Sequence, residues 1–314
     1  MRKMLIGWTL SNLMAISHPA QDKPIRLEAN LVVIEVIVMD KNGNYVRDLK
    51  PEDFAIFEDG QRQQVAFFEA NQEAALTRPL AVVFALDISG SITPEEVIKQ
   101  REAALSFIRL VRPDSVFAVI AFNQEIRLMQ DFTSDPQKVS RAFDRIRETG
   151  GATRLFASID KSISMLKRAP RYRDGRRLRR VVIVITDGYD SADTVNQADL
   201  IRRANEAEVT VYSITLPSYT FSSDKRAPTL LDISEIVPRT GGADFSADQK
   251  DFTLAFKAIA EEIRASYTLA YYPPEQSRRD GRTHKIRIEV NRPGLIVRAS
   301  RQEYQSGAAS SRSL

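Results

Sequence analysis

The chain has 314 residues, 43% hydrophobic and 27% charged, with a formal net charge of +4. That is the balance of a soluble globular protein with room for one large domain and a smaller one. Cysteine is absent, which excludes disulfides, thiolate metal sites and cysteine nucleophiles; with only His18 and His284, zinc is not expected.

The first residues, "MRKMLIGWTLSNLMAISHPA", set Arg2 and Lys3 ahead of an apolar stretch from Met4 to Ile16. This layout predicts a signal peptide over residues 1–20, with Ala15 and Ser17 at one cleavage site, and so an exported protein, periplasmic or extracellular. Cleavage would remove both of those cations. No later segment approaches the roughly 18 consecutive apolar residues of a membrane span, so no transmembrane segment is expected. An exported chain without disulfides must instead rely on a sizeable core.

Residues 27–70 read as β-structure. "ANLVVIEVIVMD" is long and β-branched, "KNGN" turns, and "DFAIFEDGQRQQVAFFEA" has two strand-like arms around Asp59-Gly60, a two-residue hairpin signal. Residues 71–79 are a polar linker. From Leu80 the pattern changes: "LAVVFALD" is a continuous apolar run, as in a strand buried on both faces of a parallel sheet. A helix follows, with Thr93 as N-cap, Pro94 at its first position and Glu96 closing a capping box; Val97, Ala104, Phe107, Ile108 and Val111 form its inner face. "SVFAVIAFN" and "EIRLMQDF" are too close for a crossover helix, so the second should run antiparallel at a sheet edge.

A helix is predicted over "DPQKVSRAFDRIRET", then a loop entering another at "GGATRLFASIDKSISMLKRA". "RRVVIVITDG" is the second fully apolar strand, followed by a helix at "NQADLIRRANEAE", a strand "VTVYSITLP", a short helix ending at Gly241-Gly242, and a last helix "DFTLAFKAIAEEIRA". Alternating strands and helices over residues 80–265 predict an open α/β sheet with helices on both faces. Residues 266–304 return to β in "SYTLAYYPP", "HKIRIEV" and "LIVRASRQEY", and residues 305–314 read as a disordered tail. Neither terminal β segment can bury a core alone. The inference is one smaller β-sandwich made from both, into which the α/β domain is inserted.

In an open α/β sheet, ligands bind outside the carboxyl ends of the strands where strand order reverses. Three features should arrive there: "DISGS" with Asp87, Ser89 and Ser91; "GGAT" with Thr153; and "TDG" with Asp187. Two carboxylates and three hydroxyls form an all-oxygen set that suits Mg²⁺, with Mn²⁺ or Ca²⁺ as alternatives. The plainer alternative is that Asp87 and Ser89 only cap the turn that follows them. Asp87 is placed at the rim of the sheet, so that Asp87→Ala should spare the fold.

The DxSxS, Thr and Asp set in this order resembles the metal-ion-dependent adhesion site of von Willebrand factor type A domains. The resemblance implies a Rossmann-like open sheet with one antiparallel edge strand. It also implies that Ser89 and Ser91 bind the metal directly, Asp87 and Asp187 directly or through water, and Thr153 in the open, ligand-binding state. A carboxylate from a protein partner would complete the coordination. The stretch from Leu27 to Tyr304 further resembles a bacterial group of secreted "VWFA-related" proteins, through "VMDKNGNYVRDLKPEDFAIFEDGQ" and "SYTLAYYPP…IRIEV…LIVRASRQEY". Arg154 departs from the pattern, placing a cation beside the expected metal.

Two rival functions remain at this point. A Mg²⁺-dependent hydrolase would need a general base; the α/β segment has no histidine and no phosphate-binding glycine loop, which leaves Asp190 as candidate. A metal-independent scaffold of an envelope complex would keep its partner in a chelator. The basic run "KRAPRYRDGRRLRR" at 167–180 reads as a solvated loop, since only Tyr172 interleaves with the cations and no nucleic acid is expected.

Overall fold

The computed structural model describes residues 31–70, 78–90, 92–186, 189–190, 195–216, 231–233, 235–247 and 252–307. The expected signal peptide, most of the linker, Ser91, Asp187 and the last seven residues lie outside the described residues.

A six-stranded sheet forms the centre. Its strands are β5 (Leu80–Asp87), β6 (Val116–Phe122), β7 (Ile126–Thr133), β8 (Arg179–Thr186), β9 (Val209–Thr215) and β10 (Asp244–Ser246). They lie in the order β10-β9-β8-β5-β6-β7, with β7 alone antiparallel, at the edge. The chain builds from β5 towards β7, then returns to β5's other side with β8. Strand order therefore reverses at β5.

Alternate residues of β5 serve opposite layers, as strand geometry requires. Val82, Phe84 and Leu86 join one cluster with helices α1 (Pro94–Leu110), α2 (Pro136–Asp144) and α6 (Phe252–Ala265). Ala81, Val83 and Ala85 join a second with α3 (Leu155–Arg168), α4 (Gln197–Glu206) and α5 (Ile236–Arg239). α1 begins as its sequence dictates: the Thr93 hydroxyl accepts from the Glu96 amide, and Glu96 accepts from the Thr93 amide at 2.7 Å.

Apart from two short two-stranded pairs, Tyr172–Arg173 with Arg176–Arg177 and Tyr189–Asp190 with Leu231–Asp232, the other strands form two four-stranded sheets drawn from both ends of the chain. They are β1 (Val32–Met39), β2 (Phe54–Glu58), β3 (Gln61–Gln63), β4 (Phe67–Ala70), β11 (Tyr267–Tyr271), β12 (Thr283–Val290), β13 (Ile296–Ala299) and β14 (Glu303–Gln305). One sheet runs β13-β1-β11-β4 and the other β14-β12-β2-β3. A single hydrophobic cluster joins them, with Ile34, Val36, Leu269 and Tyr271 from the first and Phe54, Ile56 and Ile286 from the second.

Four expectations are corrected. "QRQQVAFFEA" is not one hairpin arm: β3 pairs with β2, whereas β4 crosses to pair with β11 in the other sheet. "LIVRASRQEY" divides likewise into β13 and β14, one in each sheet. Chains that change sheets at a bend are how two packed sheets make their corners. The helix expected over 135–149 stops at Asp144, and residues 146–150 form neither helix nor strand. The expected disordered tail begins too early: Gln305 lies in β14, and the buried Ser306 donates its hydroxyl to Asp280 at 2.6 Å.

Candidate functional site

β5, β6 and β8 end side by side at the reversal point, and the loops after them define a site. Asp87 closes β5 and is fully buried. One carboxylate oxygen accepts the Ser89 amide at 2.8 Å, an Asx-type turn. The other accepts the hydroxyl of Thr186, the last residue of β8, also at 2.8 Å. The turn is thereby tied to the neighbouring strand. Asp87 thus lies at the rim of the sheet as expected, but it is buried and bonded there. Its removal would leave a buried amide and a buried hydroxyl without this acceptor.

The second loop is laddered onto the first. The Gly150 amide donates to the Ile88 carbonyl at 2.7 Å, and the Gly90 amide donates to the Gly151 carbonyl at 3.3 Å. From the end of β6, the Asn123 side chain donates to the Gly150 carbonyl at 2.7 Å, and the Asn123 backbone carbonyl accepts the Arg154 amide at 3.0 Å. Gly150 and Gly151 adopt φ of +141° and +85°, which side-chain-bearing residues rarely reach. This pair turns the chain back and delivers Thr153, 7% exposed, to the edge that holds Asp87 and Ser89.

Three of the five expected residues, Asp87, Ser89 and Thr153, are therefore buried at the carboxyl edge; Ser91 and Asp187 lie outside the described residues. Hydroxyl and carboxylate oxygens are hard donors and fit a hard divalent cation in chemistry. Arg154, half-buried, is the residue immediately before α3. The buried Asp190 accepts the Phe156 amide at 2.9 Å, in the first turn of α3. It caps that helix from another segment, where the helix dipole favours a negative charge, and this gives it a structural reason to be acidic.

The sequence reading missed a second cluster. The β2–β12 register brings Glu58, Asp59 and His284 together, with ligand atoms within 4.8 Å of one another. His284 Nδ1 faces Asp59 at 2.8 Å, and Nε2 faces Asp280 at 3.1 Å. Burial works to lower the imidazole pKa, but the bonds to Asp59 and Asp280 outweigh it and hold it above its ordinary value. The group has the residue types to hold a cation. Its geometry is that of an imidazolium donating at both nitrogens. The signal was available: a tight Asp59-Gly60 turn in one strand pair and a histidine at the start of a strand long enough to reach it.

The basic run at 167–180 is also only partly the solvated loop expected. Arg168, Arg171 and Arg176 are exposed, but Arg179 and Arg180 are buried. Arg179 reaches the hydroxyls of Ser266 at 2.6 Å and Tyr212 at 3.3 Å, and Arg180 donates to the Ala207 carbonyl at 3.0 Å.

The family model for the von Willebrand factor type A domain matches residues 81–260, more than half of the chain. The collagen alpha-4(VI) chain of Mus musculus is 29% identical over 139 residues, covering 42% of this chain and 6% of its own length. Inter-alpha-trypsin inhibitor heavy chain H3 of Pongo abelii is 27% identical over 115 residues, 35% of this chain and 13% of its own. The chain thus spans only a small part of these two relatives. A solved von Willebrand factor type A structure from Catenulispora acidiphila is 14% identical with a TM-score of 0.48, covering 82% of this chain and 74% of that one. No described helix is long and apolar enough to cross a membrane.

Proposed function

The chain belongs to the von Willebrand factor type A domain family, and from that premise we propose that it is an exported protein-binding module whose carboxyl-edge site works with a divalent cation. Asp87, Ser89, Ser91, Thr153 and Asp187 would hold Mg²⁺. Bound there, the cation would supply an electrophilic position for a carboxylate of a protein partner. The observation that carries this reading is the burial of Asp87, Ser89 and Thr153 on two laddered loops where strand order reverses. Hard oxygen donors gathered at the carboxyl edge of an open sheet support a hard cation there.

The flanking sheets, residues 27–70 and 266–304, would be a β-sandwich that carries the α/β domain of residues 80–265 as an insertion. The pairing of β1 with β11 and of β2 with β12 supports this, because each joins the two ends of the chain. The bacterial "VWFA-related" group remains the proposed relationship of the whole chain. A hydrolase reading is less well supported, since Asp190, its candidate base, is engaged at the start of α3.

The test is thermal unfolding with and without Mg²⁺ or Mn²⁺, beside Asp87→Asn, which keeps an acceptor for the Ser89 amide. Binding to the folded form alone stabilises by about 2.7 kcal/mol at one hundred times the dissociation constant. A metal-dependent rise in the parent, lost in the variant, is expected; partner capture should then vanish in a chelator. An unchanged melting temperature, or capture that survives the chelator, would favour the metal-independent scaffold.

A further inference from the structure

A small cavity of about 20 Å³ lies where the central sheet meets the flanking sheets. Five arginines line it: Arg78 before β5, Arg171 and Arg177 in the loop before β8, and Arg179 and Arg180 at its start. Only two carboxylates do so, Glu35 of β1 and Glu208 between α4 and β9.

Both carboxylates are already engaged. Glu35 accepts from Arg78 at 2.7 Å through one oxygen; through the other it accepts the Thr268 hydroxyl at 2.9 Å, with Arg179 at 3.8 Å. Glu208 pairs with Arg177 through one oxygen and lies 3.6 Å from Arg301 through the other. Arg180 is left with neutral partners, the carbonyls of Ala207 and Ala169. No carboxylate pairs with Arg180 or Arg171 among the described residues. One buried side chain in the lining also retains an unused donor: among the described residues, Arg179 Nε has no hydrogen-bond partner.

Positive charge in excess of its counter-charge is costly away from water. Burial, then Arg171 and Arg177, press the Arg180 pKa below its ordinary value, with Glu208 only partly opposing them. Thr210 and Ser300 also line the cavity, and a hydroxyl can donate to an anion. A cavity of this size admits one water-sized species, for which about 10–15 Å³ suffices; a tetrahedral oxyanion is too large.

We propose that this cavity is a halide site, in which one chloride-sized anion is held by Arg171, Arg177 and Arg180 and ties the loop before β8 to the start of that strand. The site is independent of the carboxyl-edge residues, at the opposite end of β8 from Thr186.

The experiment compares melting temperatures of the full chain in chloride and in methanesulfonate at equal ionic strength, for the parent and for Arg171→Gln. Arg171 is exposed, so the variant should fold. The expected result is a saturable rise of roughly 2–4 °C in chloride over methanesulfonate, reduced by at least half in Arg171→Gln. Crystals grown in bromide should show one anomalous peak between Arg177 and Arg180. Equal melting temperatures in the two salts, an undiminished chloride increment in the variant, or bromide located only elsewhere would overturn the proposal.

Discussion

The central sheet and the flanking sheets are held together by different kinds of interaction. β5 is buried at all eight positions, between two layers of helix, and from Leu80 to Leu86 its side chains join the two apolar clusters. β12 alternates exposed and covered residues along its length, and the core that it helps to form contains charge. Glu58, 2% exposed, accepts hydroxyls from Tyr271 at 2.7 Å and Tyr304 at 3.2 Å, while Glu35 faces Arg78 and Arg179 where the two parts meet. Apolar burial is non-directional and does not titrate. A buried carboxylate is stabilising only while its partners keep their places and charges. Pressure on packing should therefore strike the centre, and changes of charge the flanks.

The largest expected effect is at the centre. Phe84 is fully buried and its ring lies 5.9–6.5 Å from those of Phe107, Phe117, Phe143 and Phe256. Phe84→Ala should cost about 3–5 kcal/mol, read from urea unfolding, with the loss unchanged between pH 5 and pH 8. A loss that varied with pH would break the comparison. Next comes the junction. Arg78→Ala removes the bond to Glu35 at 2.7 Å and should cost about 3 kcal/mol. In the parent, burial works to raise the Glu35 pKa, but Arg78 and Arg179 more than offset it and hold it low. The stability so gained is present above about pH 4.3, the unfolded value, and is lost as pH falls through the lower folded value. The variant should lose most of that acid-side transition. Smaller again is Asp87→Ala, about 1–3 kcal/mol for the two donors left without their acceptor; Asp87→Asn should cost less, and their difference in urea midpoint measures the fixing of the first loop.

These differences also decide what could be read from the sequence. A strand covered on both faces writes itself as an unbroken apolar run, so "LAVVFALD" and "RRVVIVIT" marked the centre of the sheet and, through their ends, the place of Asp87. Capping chemistry is local, so Thr93, Pro94 and Glu96 located the start of α1. What was not legible depends on contacts between distant residues. Nothing near "RQQVAFF" or "VRASRQE" says that the chain leaves one sheet for another, because each half keeps a strand-like pattern. Thr186 gave no sign that it would hold Asp87, and Asp190, although it reads as a helix-entry residue, gave no sign that the helix would be α3, earlier in the chain. The strand β10, only three residues long, was hidden behind the Gly241-Gly242 signal. His284 looked isolated because its partners Asp59 and Asp280 belong to different turns.

That histidine gives the smallest effect and the sharpest test of the contrast. Its ring stacks on Tyr304 at 5.1 Å, and Ser306 donates to the same Asp280 oxygen that its Nε2 faces. The imidazolium thus joins the β2–β3 turn, the start of β12 and the end of β14. Its folded pKa is raised, despite burial, by Asp59 and Asp280. Its contribution is therefore complete below about pH 6.5, the unfolded value, and is lost as pH rises through the folded one. The carboxylates act in the opposite sense. Asp59 is held low chiefly by His284 and the Lys285 amide, and Asp280 by the Ser306 hydroxyl and the Arg282 amide. Their contribution is complete above about pH 3.9 and is lost as pH falls through the folded values. The network should be tightest between about pH 4 and pH 6.5. Amide exchange in β12 and β14 should quicken above that window, whereas β5 and β8 should exchange at rates set only by the ordinary pH dependence of the chemistry. His284→Gln should abolish the alkaline-side change and leave the central sheet untouched. Were β5 to loosen with β14, the two parts would share one charge-dependent unit, and the division of labour argued from their burial patterns would fail.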